Sequence, residues 1–199
     1  MSLRKTKDPC QVCFLHKDFC ICSEIPKLNL KTKLSLVVHY RELKRTSNTG
    51  RLAVTALTNS QMLVRGLEQA EATDLSGLLL EDHETLFLYP SEDSVLLTPA
   101  YVSQFQKPIH LIVPDGNWRQ AGKVHLRHKE LAHLPRVRVT PSRPATHFLR
   151  KEHVEGGMAT LEAIAFAFGA IEGAEIEQAL SDLYQLKLTR TLTARGQKL

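Results

Sequence analysis

The chain has 199 residues, a net charge of +5 and a sequence pI near 9.1. That length suits one domain with a small appendage and is enough to bury a full core. Composition is that of an ordinary soluble globular protein, no apolar run reaches membrane-spanning length, and no obligate protein partner is evident, which leaves soluble functions as the field.

The first residues, Met1-Ser2-Leu3-Arg4-Lys5-Thr6-Lys7, lack the apolar segment of a signal peptide, so a cytoplasmic location is expected. All four cysteines then fall together, as Cys10, Cys13, Cys20 and Cys22. A disulfide framework does not suit a cytoplasmic chain. The spacing C-x2-C-x6-C-x-C suits a thiolate zinc knuckle, in which the first pair closes a tight turn and the second returns across it. His16 lies inside the loop and makes a fifth candidate ligand for four positions; the competing reading is four free surface thiols. Four thiolates leave no open coordination position, so the metal's role would be structural or RNA-contacting rather than catalytic. So short a knuckle has almost no core, and the metal would supply its folding energy. Residues 1–30 therefore read as knuckle and connector, and 31–199 as the main domain.

Leu34 to Tyr40 reads as a buried strand and Arg41 to Ser47 as a basic loop. A helix follows from Asn48, with Leu52, Ala53, Ala56, Leu57, Leu63, Val64 and Leu67 on one stripe. Its first amides suit an anion, or Asn48 and Thr49 serve only as its cap. Residues 68–84 are acidic and read as a solvated loop. Thr85 to Tyr89 is the next strand, stopped by Pro90, and 91–107 a connection with a short helix. Ile109 to Val113 is a buried strand stopped by Pro114 and Gly116; a helical pattern then places Trp118, Ala121, Val124, His128 and Leu131 near one face. Arg136 to Thr140 is a strand ending at Pro141 and Ser142. Residues 159–171 form a helix apolar nearly all round, and an amphipathic helix begins at Ile176.

This alternation predicts an α/β domain with a mostly parallel sheet and helices on both faces. Tyr89-Pro90, Val113-Pro114-Asp115-Gly116 and Thr140-Pro141-Ser142 end three strands in similar punctuation. Aligned on one edge, they form a single ligand cleft at the carboxyl ends of the strands. Asp115 has two readings there: helix cap, or a functional carboxylate at that edge. From Arg119 to Lys151 there are nine Lys/Arg and one acid, Glu130, so the rest of the chain is net acidic. Basic charge gathered beside the cleft points to a polyanion such as nucleic acid, against the alternative of a solvated face.

The motifs carry a resemblance. Asp115-Gly116-Asn117-Trp118 resembles the D-x-T-W signature of the DTW-domain family. The cysteine cluster matches that family's amino-terminal block. His39-Tyr40-Arg41-Glu42 with Asn48-Thr49-Gly50-Arg51-Leu52-Ala53 matches the next, and Ser142-Arg143, Leu149-Arg150-Lys151-Glu152 and Thr160-Leu161-Glu162-Ala163 match the last. The blocks keep their order from Cys10 to Ala163. Two departures stand out: Asn117 replaces the family's Thr, and Pro144 to Phe148 interrupts a run that is Ser-x-Tyr-x-x-Arg-like in the family.

The family resembles tRNA-uridine aminocarboxypropyltransferases within a superfamily similar to the SPOUT RNA methyltransferases. The resemblance implies a SPOUT-like fold with a carboxyl-terminal trefoil knot, whose loops bind S-adenosylmethionine. It also implies transfer of that molecule's 3-amino-3-carboxypropyl group to N3 of a tRNA uridine, with release of 5′-methylthioadenosine. Asp115 is then the candidate general base, its pKa raised by burial, or else a ligand of the cofactor's amino group. Leu88, Pro90, Pro114, Asp115, Gly116, Trp118, Pro141, Ser142, Thr160, Leu161 and Glu162 would line the cofactor pocket. Trp118 packs the helix or stacks on a base, and Thr160 and Glu162 line the pocket or merely start a capped helix. His39, Arg41, Asn48, Arg119, Lys123, Arg143, Arg150 and Lys151 would meet RNA, with His39 equally readable as a core histidine. Zn2+ on the four cysteines is structural. Two rival functions fit the same residues: an S-adenosylmethionine-dependent RNA methyltransferase, and a non-catalytic zinc-containing RNA-binding protein.

Overall fold

The computed structural model describes residues 8–67, 73–141 and 158–197. Its centre is a six-stranded sheet in the order β2-β1-β5-β3-β6-β4, formed by β1 (Lys33–His39), β2 (Ser60–Arg65), β3 (Glu84–Leu88), β4 (Val95–Leu96), β5 (Ile109–Asp115) and β6 (Arg136–Arg138). Every neighbouring pair is parallel. The helices are α1 (Gly50–Ala56), α2 (Pro99–Val102), α3 (Trp118–Ala121), α4 (Val124–Arg127), α5 (Thr160–Glu172) and α6 (Ala174–Ala194). None among the described residues is long and apolar enough to cross a membrane.

Strand side chains alternate between two cores, as the pleat requires. Leu34 and Leu36 of β1, Leu86 and Leu88 of β3, and Ile109, Leu111 and Val113 of β5 face a core completed by α1, α5 and α6. Val37, Phe87 and Ile112 face a smaller core with Leu75, Leu78, Val124 and Leu131. Both faces are thus covered, as expected for α/β, but unequally: two long helices cover one side and short turns the other. Cys13, Leu15, Ile21 and Ile25 of the cysteine segment belong to the larger core.

Four local expectations are corrected. The helix from residue 48 stops at Ala56, and residues 60–65 form β2 instead of its continuation. Ser60 ends it: its hydroxyl donates to the carbonyls of Val54 (2.9 Å) and Leu57 (2.6 Å), taking acceptors that further turns would have used. The helical pattern across 118–131 is broken into α3, α4 and a 3-10 turn (Lys129–Leu131), interrupted at Gly122, a poor helix former. Ala121, Val124, His128 and Leu131 are buried all the same. The acidic connection is not all solvated, because Leu75 and Leu78 insert beneath the sheet. Finally, Pro114 does not stop β5, which runs on to Asp115. β3 pairs with β5 only as far as Ile112, so beyond it a residue without N–H is tolerated.

The chain leaves adjacent strands β1 and β5 towards opposite faces. After β1 it enters α1 on the large-core side, and after β5 it reaches Val124 and Leu131 on the other side. A crevice opens at their carboxyl ends, the switch point at which open parallel sheets bind ligands.

Candidate active site and cysteine centre

Asp115 closes β5 beside Val38 of β1 and is 3% exposed. Two segments converge on its carboxylate. Asn48 Nδ2, from the turn before α1, donates to Oδ2. Thr160 Oγ1, from the first residue of α5, donates to Oδ1 at 2.6 Å. The same two segments meet a second time, where Leu161 N donates to Thr49 Oγ1 at 3.1 Å. Gly50 lets α1 approach: a Cβ there would lie 3.1 Å from Asp115 Oδ2 and 3.0 Å from a Leu36 methyl. Arg51 stands near enough that the Asp115 charge favours its guanidinium form, against burial, which is the larger effect and lowers its pKa.

The capping role falls to Asn117 rather than Asp115. Asn117 Oδ1 accepts from Gln120 N (2.9 Å) while Gln120 Oε1 accepts from Asn117 N (2.8 Å), a reciprocal cap on α3. Asn and Thr are both competent caps, so the substitution of Thr by Asn at this position preserves the local structure. Gln120 Nε2 also reaches His39 Nδ1 at 3.3 Å. His39 is half-buried at the end of β1, and burial together with Arg65 and Arg41 lowers its pKa.

Of the other predicted pocket residues, Leu88 and Pro114 are buried at the ends of β3 and β5 and Leu161 is buried on α5, while Pro90 and Pro141 are exposed just past β3 and β6. Because β3 lies between β5 and β6, these strand ends share one edge. Gly116 follows Asp115 with no room for a side chain, since a Cβ would lie 2.9 Å from that of Gln120. Glu162 accepts from Ala159 N at 3.3 Å and so secures the start of α5. Of the predicted RNA contacts, Arg41 and Arg119 are exposed, Lys123 is half-buried, and Asn48 is buried against Asp115. Ser142, Arg143, Arg150 and Lys151 lie outside the described residues, as do the interrupting segment 144–148 and the side chain of Trp118. Sequence reasoning passed over Gly50 and Arg51 as site residues, although both sit inside the block that contains Asn48.

The cysteines form a compact centre. Cys10 and Cys22 Sγ are 3.4 Å apart, Cys13 and Cys20 Sγ 3.8 Å, and all four sulfurs lie within 4.8 Å of one another. All are free thiols. A tetrahedron of sulfurs about 2.3 Å from zinc has edges of about 3.8 Å, so the residues fit the metal. His16 is no member of this cluster; its Nδ1 accepts from Asp18 N. Burial opposes ionisation of Cys10, yet amide N–H groups of Cys13 and Val12 and the neighbouring thiols bring its pKa down to about 6. Burial and the same thiols push that of Cys22 up. Three cations of the main domain reach this segment, one of them Arg190 of α6, which pairs with Glu24 at 3.6 Å. The Arg51 guanidinium lies 3.8 Å over the Phe14 ring, and Lys187 of α6, fully buried, donates to Cys13 O at 2.6 Å. No sequence signal marks Lys187.

A family model of the DTW domain matches residues 7–192. The chain is 26% identical over 181 residues to the tRNA-uridine aminocarboxypropyltransferase 2 of Drosophila melanogaster, an alignment spanning 87% of this chain and 71% of that protein. It is 28% identical over 203 residues to the tRNA-uridine aminocarboxypropyltransferase A of Arabidopsis thaliana, spanning 86% of this chain and 76% of that protein. No solved structure matches.

Proposed function

Since the chain belongs to the DTW domain family, we propose that it is a cytoplasmic tRNA-uridine aminocarboxypropyltransferase using S-adenosylmethionine. The observation that carries this reading is the buried Asp115 carboxylate, held by Asn48 and Thr160 at the switch-point crevice and opening the family's motif. Bound there, S-adenosylmethionine supplies a sulfonium whose side-chain carbon is open to attack by uridine N3, with methylthioadenosine as the leaving group.

The chain's own groups meet three demands. Leu88 and Leu161, buried at the end of β3 and the start of α5, would form apolar walls that keep water from the bound donor. The amino-terminal end of α5 suits the donor's carboxylate, because helix N-termini attract negative charge. Asp115 takes the N3 proton, or alternatively holds the donor's ammonium. Its bonds to Asn48 and Thr160 orient the carboxylate at the crevice. Arg41, Arg119 and Lys123, with Arg143, Arg150 and Lys151, hold tRNA phosphates, and His39 stands beside the base. Asn48, though drawn from the predicted RNA contacts, serves the carboxylate in this reading.

Residues 1–30 form a structural zinc knuckle and connector and 31–199 a SPOUT-like domain. Support for a knotted path comes from α5: after β6, two strands away, the chain brings Thr160 and Leu161 back against Asp115 and Thr49. Residues 142–157, between β6 and α5, lie outside the described residues.

The test is to incubate the purified protein with S-adenosylmethionine and unmodified tRNA, then analyse nucleosides and by-product by mass spectrometry. Aminocarboxypropyluridine with methylthioadenosine is expected. S-adenosylhomocysteine would instead identify a methyltransferase, and the absence of cofactor binding a non-catalytic RNA-binding protein.

A further inference from the structure

We propose that Lys187 is the charge partner of the cysteine metal centre, its ammonium balancing the excess negative charge of a metal tetrathiolate. The inference rests on the reading of Cys10, Cys13, Cys20 and Cys22 as a zinc site and adds a residue from the far end of the chain to it.

Lys187 is fully buried on α6, and lysine is almost never so buried without a partner. Among the described residues no carboxylate pairs with it. Its hydrogen bond runs to a neutral acceptor, the carbonyl of Cys13, at 2.6 Å. An isolated ammonium in such a place is costly.

The converse problem exists across the contact. Zn2+ bound by four thiolates carries a net charge of −2, and Cys13 is itself fully buried. Taking that charge out of water is equally unfavourable unless a cation is placed beside it. Each group therefore makes sense of the other: among the described residues the lysine has no carboxylate partner, and the loaded centre carries a net negative charge. Groups just outside a metal's ligands commonly tune affinity by 10–100-fold.

The experiment compares the full-length protein with Lys187→Gln, which keeps an N–H donor for Cys13 O but removes the charge, and with Lys187→Met, which removes both. Zinc content is measured first, then zinc affinity by chelator competition, then thermal stability in loaded and stripped forms. Wild type should carry about one zinc. Both variants should bind zinc about 10–100-fold more weakly. Stripped Lys187→Gln should be no less stable than stripped wild type, because the variant has lost an uncompensated buried charge. A lysine acting only as a strut for the Cys13 carbonyl predicts the opposite: Lys187→Gln with wild-type zinc affinity, or equal destabilisation in both forms, overturns the proposal. Should Lys187→Gln fail to fold, refolding is repeated at rising zinc concentration. Rescue by excess zinc locates the defect in metal affinity, and failure at every concentration overturns the proposal. Wild-type protein without zinc overturns the metal reading itself, a result distinct from zinc-loaded protein indifferent to Lys187.

Discussion

At the scale of single residues, the Asp115 network makes separable demands. Thr160→Val leaves a buried carboxylate oxygen without one of its donors, which typically costs about 1–3 kcal/mol. The expected outcome is a lower melting temperature together with slower transfer at saturating S-adenosylmethionine and tRNA. Asp115→Asn keeps the size of the side chain but cannot take the N3 proton. In the general-base role its single-turnover rate falls about 10²–10⁴-fold with cofactor affinity retained. A rate loss no larger than the loss of cofactor affinity would make Asp115 a cofactor ligand, and a wild-type rate would place the base elsewhere. Asp115, Asn48 and Thr160 were all named from the sequence, since each stands in a motif. Their convergence was not legible, because it is made by a strand end, a pre-helix turn and a helix start brought together by the sheet. Hence Asn48 was read as an RNA contact or a helix cap, and Gly50, whose missing side chain admits the carboxylate, was read within its block but not as a site residue.

At the scale of elements, β1 and β5 are joined through a buried polar link as well as their ladder. Gln61 Nε2 donates to Ser35 Oγ at 2.9 Å, and the Ser35 hydroxyl shares a hydrogen bond with His110 Nε2 at 2.7 Å. Burial, with Lys33 nearby, lowers the pKa of His110 to about 4. A histidine whose folded pKa lies below its unfolded value of about 6.5 contributes nothing adverse above that pH, and costs stability as pH falls from about 6.5 to about 4. The loss reaches about 3 kcal/mol. Denaturant unfolding of wild type and His110→Gln across this range should show that share of the acid sensitivity missing from the variant; parallel profiles would contradict it. Long apolar elements such as β5 and α5 were legible because their patterns are strong and continuous. β2 was not, because Leu63, Val64 and Leu67 also fit a helical stripe, and the matter is decided by the non-local ladder to β1 together with the bonds of Ser60 to the helix carbonyls. The two-residue β4 carries too little pattern to be read at all.

At the scale of the whole molecule, the cysteine segment and the main domain share one hydrophobic core. Stripping the metal should therefore lower the melting temperature of the entire protein in a single transition rather than detach a small independent unit. Calorimetry with and without chelator checks this, and an unchanged main transition would show the segment to be autonomous. The basic segment should act through phosphates: Arg119→Gln with Lys123→Gln should weaken tRNA binding and reduce the slope of log affinity against log salt by about one per lost contact. Cofactor affinity should stay near the wild-type value, and its equal loss would assign these residues to the fold or the cofactor pocket.

The all-parallel strand order also governs how the protein comes into being. No strand can pair with its neighbour through a hairpin, and the β1–β5 pair joins distant residues such as Ser35 and His110, 75 positions apart. Such non-local pairing makes a slow folder, because a long loop must close before its contacts reward it. Thr160, a further 45 positions beyond Asp115, can dock only after that pair exists. The crevice is thus finished late in synthesis and refolding, so a chain that has already collapsed around its sheet still lacks the group that orients its carboxylate.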